Sequence, residues 1–149
     1  MITLEPETGG PASAGQAADS WSNPLRDPRD LRIPRIAGPC TLVIFGVTGD
    51  LARKKLLPAI YDLANRGLLP TSFGLIGFGR RDWSDDQFRD WVKEHVRTRC
   101  RTVFRESTWN QLTEGIRFAR GTFDDPAAFA HLSEIVLQVD ADRNTHGNH

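Results

Sequence analysis

The chain has 149 residues, 39% of them hydrophobic, and its 19 Lys and Arg balance its 19 Asp and Glu. That length suits about one domain, and interspersed charge of both signs excludes a nucleic-acid-binding surface or a solvating acidic tail. No apolar run reaches the length of a membrane span, and the acidic N-terminus lacks the apolar region of a secretory leader, so neither a membrane partner nor secretion is expected.

Residues Met1 to Arg35 are rich in Pro, Gly, Ser, Ala and charge, and read as a flexible N-terminal arm. Thr41 to Phe45 is a short apolar run and reads as a first strand. A helix is expected from Asp50 to Asn65, closed by Gly67, with Leu56, Leu57, Ile60, Leu63 and Ala64 as its apolar face. Pro58 falls inside this helix and should kink or restart it. The second strand is Gly74 to Phe78. Ser84, with Gln87 three residues on, predicts a capping box that opens a helix over Asp85 to Thr98. Phe88, Trp91, Val92 and His95 share one face of that helix. A short helix over Thr108 to Glu114 leads to a third strand, Ile116 to Ala119. Pro126 then starts a helix to Val139 with Phe129, Leu132, Ile135 and Val136 inward. The tail from Asp140 to His149 is polar.

This alternation of strand and helix predicts an α/β fold with parallel strands. Right-handed crossovers give the strand order 3-2-1, the first half of a doubly wound Rossmann-type sheet. Residues 36–140 would form that partial domain, and residues 141–149 a polar tail ahead of a missing fourth strand. The first strand is apolar on both faces, so an open edge there should favour association and leave the isolated chain poorly folded.

The turn after the first strand carries the strongest signal. Gly46-Val47-Thr48-Gly49 joins a buried strand to a helix start, and glycine lets such a backbone turn tightly and approach a ligand. Free N–H groups and the positive dipole end of the helix suit a phosphate there. The turn is Gly-x-x-Gly rather than the full dinucleotide fingerprint, and glycines at such a turn are often only steric. Thr48 can donate its hydroxyl to a phosphate oxygen. Asp50 would repel phosphate, so helix capping and dipole pairing explain it best. Arg80 and Arg81 follow the second strand, where an acidic residue would hold ribose hydroxyls. A guanidinium there can instead pair with a 2′-phosphate and stack on adenine.

The run Gly46-Val-Thr-Gly-Asp-Leu-Ala-Arg-Lys-Lys-Leu-Leu-Pro58, followed by Leu75-Ile-Gly-Phe-Gly-Arg-Arg-Asp-Trp83, closely resembles the signature of glucose-6-phosphate dehydrogenases. The resemblance begins near Asn23 and covers only the N-terminal, NADP-binding portion of that family. It implies NADP as cofactor, held by Gly46, Val47, Thr48, Gly49, Asp50, Leu51 and Arg80, with Arg81 as a weaker partner. Thr122 and Phe123 lie where the family's chain passes the adenine; a turn and a core aromatic explain them equally well. It implies that Lys55, the last lysine of the cluster, faces the sugar phosphate; Arg53 and Lys54 are read as surface by default. For the whole enzyme it implies oxidation of glucose 6-phosphate to the lactone in the pentose phosphate pathway, without a metal. Oligomerisation would run through the family's large second domain.

Hydride transfer from a sugar hydroxyl needs a base. His95 and His131 sit in predicted helices, His146 and His149 sit in the tail, and none lies in a segment like the family's histidine motif. No catalytic residue is therefore assigned, and this chain alone is expected to be silent. A catalytically inert nucleotide-binding or interaction fragment stays open as the alternative. Cys40 and Cys100 lack metal or redox spacing, which fits reduced thiols and a cytoplasmic setting.

Overall fold

The computed structural model describes residues 36–149; the arm expected over residues 1–35 lies outside them. Three strands, β1 (Cys40–Phe45), β2 (Phe73–Gly79) and β3 (Ile116–Arg120), pair in parallel in the order β1-β2-β3. This is the expected 3-2-1 sheet. The helices are α1 (Leu57–Asn65), α2 (Asp85–Arg99), α3 (Glu106–Thr113) and α4 (Pro126–Arg143).

Side chains alternate across a strand, so each face of the sheet collects its own core. One face packs Ile44, Phe73, Leu75 and Phe118 against Leu57, Tyr61, Phe88, Val92 and Trp109 from α1, α2 and α3. The other packs Ile76, Phe78 and Ala119 against Ala128, Leu132, Val136 and Val139 of α4. The α2 capping box forms as expected. Gln87 N–H donates to Ser84 Oγ at 3.2 Å, and Ser84 N–H donates to Gln87 Oε1 at 2.9 Å.

The first helix restarts at Pro58, as expected, but through a widened turn that changes which face is buried. Residues Ala52–Leu56 form a π-helical turn, and Leu57 N–H donates to Ala52 O. Proline has no N–H and its ring crowds the carbonyl four residues back. Widening the preceding turn relieves that conflict, and Pro58 then lies in the first turn of α1. The extra residue rotates the helix face. Leu57, Ile60, Tyr61 and Asp62 are buried, whereas Leu56 and Leu63, expected inside, are each 40% exposed. Gly67 closes α1 with φ 69°, and Leu68 N–H returns to Leu63 O at 2.9 Å.

The C-terminal segment is tied back to the sheet by hydrogen bonds. The last helix continues to Arg143 and ends at Asn144 in the left-handed region. Asp140 explains the turn that follows. Its carboxylate accepts from the Thr145 hydroxyl and, at 2.7 Å, from Gly147 N–H. Those bonds, the Thr145 one foremost, hold its carboxyl below the ordinary range. The returning chain then meets the start of β1, where Thr41 N–H donates to Asn148 O at 2.9 Å. In α4 itself Phe129, expected inward, is 37% exposed, while Ala128 and Val139 take core places.

Candidate dinucleotide-binding site

All three strands run the same way, so their carboxyl ends form one rim, where ligands of such sheets bind. A cleft of about 770 Å³ opens there. Its walls are Gly46, Thr48 and Gly49 after β1, Phe78, Gly79 and Arg80 at the end of β2, and Gly121 to Asp124 after β3. Its volume lies within the range that small-molecule sites occupy.

The glycine turn is built by a few backbone bonds. Gly46 has φ 65°, a conformation that side chains resist. Its N–H donates to Phe78 O at 2.9 Å, and Gly49 N–H closes the turn on Gly46 O at 2.8 Å. Among the described residues, the N–H groups of Thr48, Asp50 and Leu51 find no backbone acceptor. Donors left over at the first turn of a helix, beside its positive dipole end, favour an anion.

The expected site residues divide into two sets. Gly46, Thr48, Gly49, Arg80, Thr122 and Phe123 line this one cleft. Val47 is fully buried, so its side chain serves the core. Asp50 lies on the outer side of the helix start. Its carboxylate makes ion pairs with Arg53 and, at 2.8 Å, with Lys54. Hydrogen bonds from Lys54 and Arg53 hold the Asp50 carboxyl below its usual value. Leu51 is 66% exposed beside the turn. Arg81 turns away and stacks over the Trp83 ring, 4.9 Å from its centre. Arg80 is exposed in the cleft with no ion pair among the described residues. Phe123 extends into solvent, its ring 5.8 Å from that of Phe45. Lys55 does not line this cleft; it lies in a second one, with Lys54, Arg66, Arg99 and Arg101.

Phe78, Gly79, Gly121 and Asp124 complete the cleft and were not anticipated. Gly79 and Gly121 end β2 and follow β3, a placement that could have singled them out. Asp124 is held as a carboxylate by the Thr122 hydroxyl and its own backbone N–H. It gives the β3 side of the cleft an acceptor opposite the basic Arg80. Among the described residues no group of His, Cys, Asp and Glu is arranged to hold a metal. None of the histidines lines the cleft. His95 instead stacks on Trp91, and its Nδ1 lies 2.9 Å from Trp91 O.

The family model for the NAD binding domain of glucose-6-phosphate dehydrogenase matches residues 43–149. The chain belongs to the glucose-6-phosphate dehydrogenase family. It is 63% identical over 133 residues to glucose-6-phosphate 1-dehydrogenase 2 of Mycobacterium bovis, covering 89% of this chain and 26% of that relative. The Chlamydia pneumoniae glucose-6-phosphate 1-dehydrogenase is 36% identical over 118 residues, covering 79% of this chain and 23% of that relative. Among solved structures, glucose-6-phosphate 1-dehydrogenase from Mycobacterium avium aligns with a TM-score of 0.58 at 26% identity, over 72% of this chain and 27% of that one. A glucose-6-phosphate dehydrogenase in complex with its substrate glucose-6-phosphate shares the fold, with a TM-score of 0.65 at 24% identity over 76% of this chain and 23% of that one. The chain thus spans about a quarter of the length of the curated relatives it matches. Among the described residues of this family member, no helix is long and apolar enough to cross a membrane.

Proposed function

We propose that this chain supplies the NADP-binding part of a glucose-6-phosphate dehydrogenase. The observation that carries the reading is the cleft itself. A glycine turn with unused N–H groups opens one side, and Arg80, exposed without an ion pair among the described residues, stands at the end of β2. The turn suits the pyrophosphate, and Arg80 suits a 2′-phosphate. Asp124 and Phe123 flank the side where a purine would lie. NADP, when bound, supplies the hydride acceptor. The chain's own residues orient it and neutralise its charge.

The oxidation of glucose 6-phosphate to its lactone belongs to the whole enzyme in this reading. The base that takes the C1 hydroxyl proton would come from residues outside this chain, because no histidine borders the cleft. Lys55 is the residue proposed to meet the sugar phosphate. Assembly into oligomers would use the part of the relatives that this chain does not span, and a cytoplasmic setting fits the free thiols of Cys40 and Cys100.

The test joins residues 1–149 to the remaining three quarters of the Mycobacterium bovis relative. Arg80→Ala in that chimera should weaken NADP by about 2 kcal/mol, roughly 30-fold, with NAD changed by no more than about threefold. Equal weakening of both cofactors would contradict the assignment. Lys55→Ala should lower turnover or raise the KM for glucose 6-phosphate and leave NADP affinity within a few-fold. A fully active Lys55→Ala chimera would place Lys55 with Lys54 as surface.

A further inference from the structure

The stretch that leads from Arg80 into α2 is acidic, with Asp82, Asp85 and Asp86 in close succession. Acids are unexpected beside a residue suited to a phosphate, yet each of the three carboxylates has an arginine partner. Asp82 Oδ1 lies 3.1 Å from the Arg120 guanidinium. Asp85 Oδ2 lies 3.7 Å from that of Arg117, and Asp86 Oδ1 lies 2.9 Å from that of Arg89. With Arg81 drawn over Trp83, Arg80 is the cation of this stretch that lines the cleft.

Two of the three pairs have a structural use. Asp85 also accepts from Phe118 N–H at 2.7 Å, and Arg89 donates to Ile116 O at 2.9 Å. Those bonds fasten the start of α2 to β3. The Asp82–Arg120 pair stands apart. Its side chains are 85% and 63% exposed, and exposed ion pairs add little to folding.

Its position gives it another use. Arg120 ends β3 opposite Gly79, the residue before Arg80, and Gly121 N–H donates to Gly79 O at 2.8 Å. Gly79 and Gly121 are both walls of the dinucleotide cleft. The pair therefore joins the ends of two strands at the rim, next to Arg80. An acid at the end of the second strand of such a sheet accepts from ribose hydroxyls and opposes a 2′-phosphate. Asp82 follows Arg80 by two residues, a span of at most about 7 Å, inside the screening length of about 10 Å at 0.1 M salt.

We propose that Arg120 is a specificity-determining residue that acts through Asp82. By holding that carboxylate it keeps a negative charge away from the 2′-phosphate that Arg80 receives. Arg120 is a positioning residue in this role, because it does not itself line the cleft. The inference rests on the proposed NADP reading and adds a second determinant of selectivity, on a different strand.

The experiment titrates NADP and NAD separately into the isotope-labelled 149-residue chain and reads Kd from backbone amide shifts. Arg120→Ala should weaken NADP by about fivefold, the scale of one unscreened charge near a phosphate, and leave NAD within about twofold. Arg120→Lys keeps the charge and should retain the preference for NADP. Arg120→Ala/Asp82→Asn should restore NADP to within about twofold of wild type, because the carboxylate that Arg120 restrained is gone. A merely structural role would weaken both cofactors together and would not be rescued at Asp82. An unchanged NADP-to-NAD ratio in Arg120→Ala, or a double variant as weak as Arg120→Ala alone, would overturn the proposal. Arg80→Ala separates the two readings. Selectivity lost there but kept in Arg120→Ala overturns the role of Arg120 and leaves the NADP site standing. A wild-type chain with no preference for NADP overturns both.

Discussion

Leu42 and Leu75 are the same residue type, lie opposite one another in the β1–β2 ladder and point to the same face. Leu75 is 1% exposed and Leu42 is 42% exposed. The whole strands repeat the contrast. All seven residues of β2 are buried, whereas only Thr41 and Ile44 are buried in β1. Both strands are written as interior strands, but only β2 has neighbours on both sides. On the other face of β1, Phe45 is 46% exposed beside Phe123 and Phe129. Hydrophobic content therefore reports the place a strand is suited to, and burial reports the neighbours it has. The mismatch at β1 agrees with a chain that spans about a quarter of its relatives.

Substitution of the pair sharpens this contrast most strongly. Leu75→Ala should cost about 2–5 kcal/mol, the range for emptying a well-packed site. A urea titration at fixed protein concentration measures it. Leu42→Ala should cost about 1 kcal/mol or less, because nearly half of that side chain already meets solvent. In the chimera with the remainder of the Mycobacterium bovis relative, the Leu42→Ala cost should rise toward that of Leu75→Ala. Equal costs in the 149-residue chain would break the comparison.

A smaller effect probes how the finished face is held. Asp62 joins α1 to the loop after α2 through the bonds to Arg101 and Thr102. Asp62→Asn should cost about 2 kcal/mol at pH 7, as for lost hydrogen bonds to a charged group. Burial is outweighed by those bonds, so the folded pKa lies below the ordinary value of an aspartate. The carboxylate's contribution is then present in full above the unfolded value and is lost as pH falls through the folded one. Melting wild type and Asp62→Asn from pH 7 to pH 2 should show their difference shrinking below about pH 4. A difference that stays constant over that range would remove the carboxylate from the account.

Local signals recovered the strands, their order, the α2 capping box and the glycine turn, because each depends on residues close in sequence. Six of the ten residues that line the dinucleotide cleft were also legible, since the carboxyl ends of parallel strands must share a rim. The differences arise where a distant partner or an irregular turn decides. Tyr61 is buried because its hydroxyl accepts from Arg105 N–H at 2.7 Å, a bond spanning 44 residues. The rotated face of α1 depends on a π-turn that a 3.6-residue period cannot anticipate. The tail is ordered by Asp140, whose donors follow it in a turn rather than in a helix. Arg81, read from the sequence as the weaker partner, stacks over the Trp83 ring two residues on.

The most direct test of the central claim is an NADP titration of the labelled 149-residue chain, followed by backbone amide shifts and repeated with NAD. The account predicts saturable NADP shifts at Gly46, Thr48 to Leu51, Arg80 and Thr122 to Asp124, with weaker saturation by NAD. Arg81 should move less than Arg80. Shifts confined to other surfaces, or the same response to NADP and NAD, would contradict it.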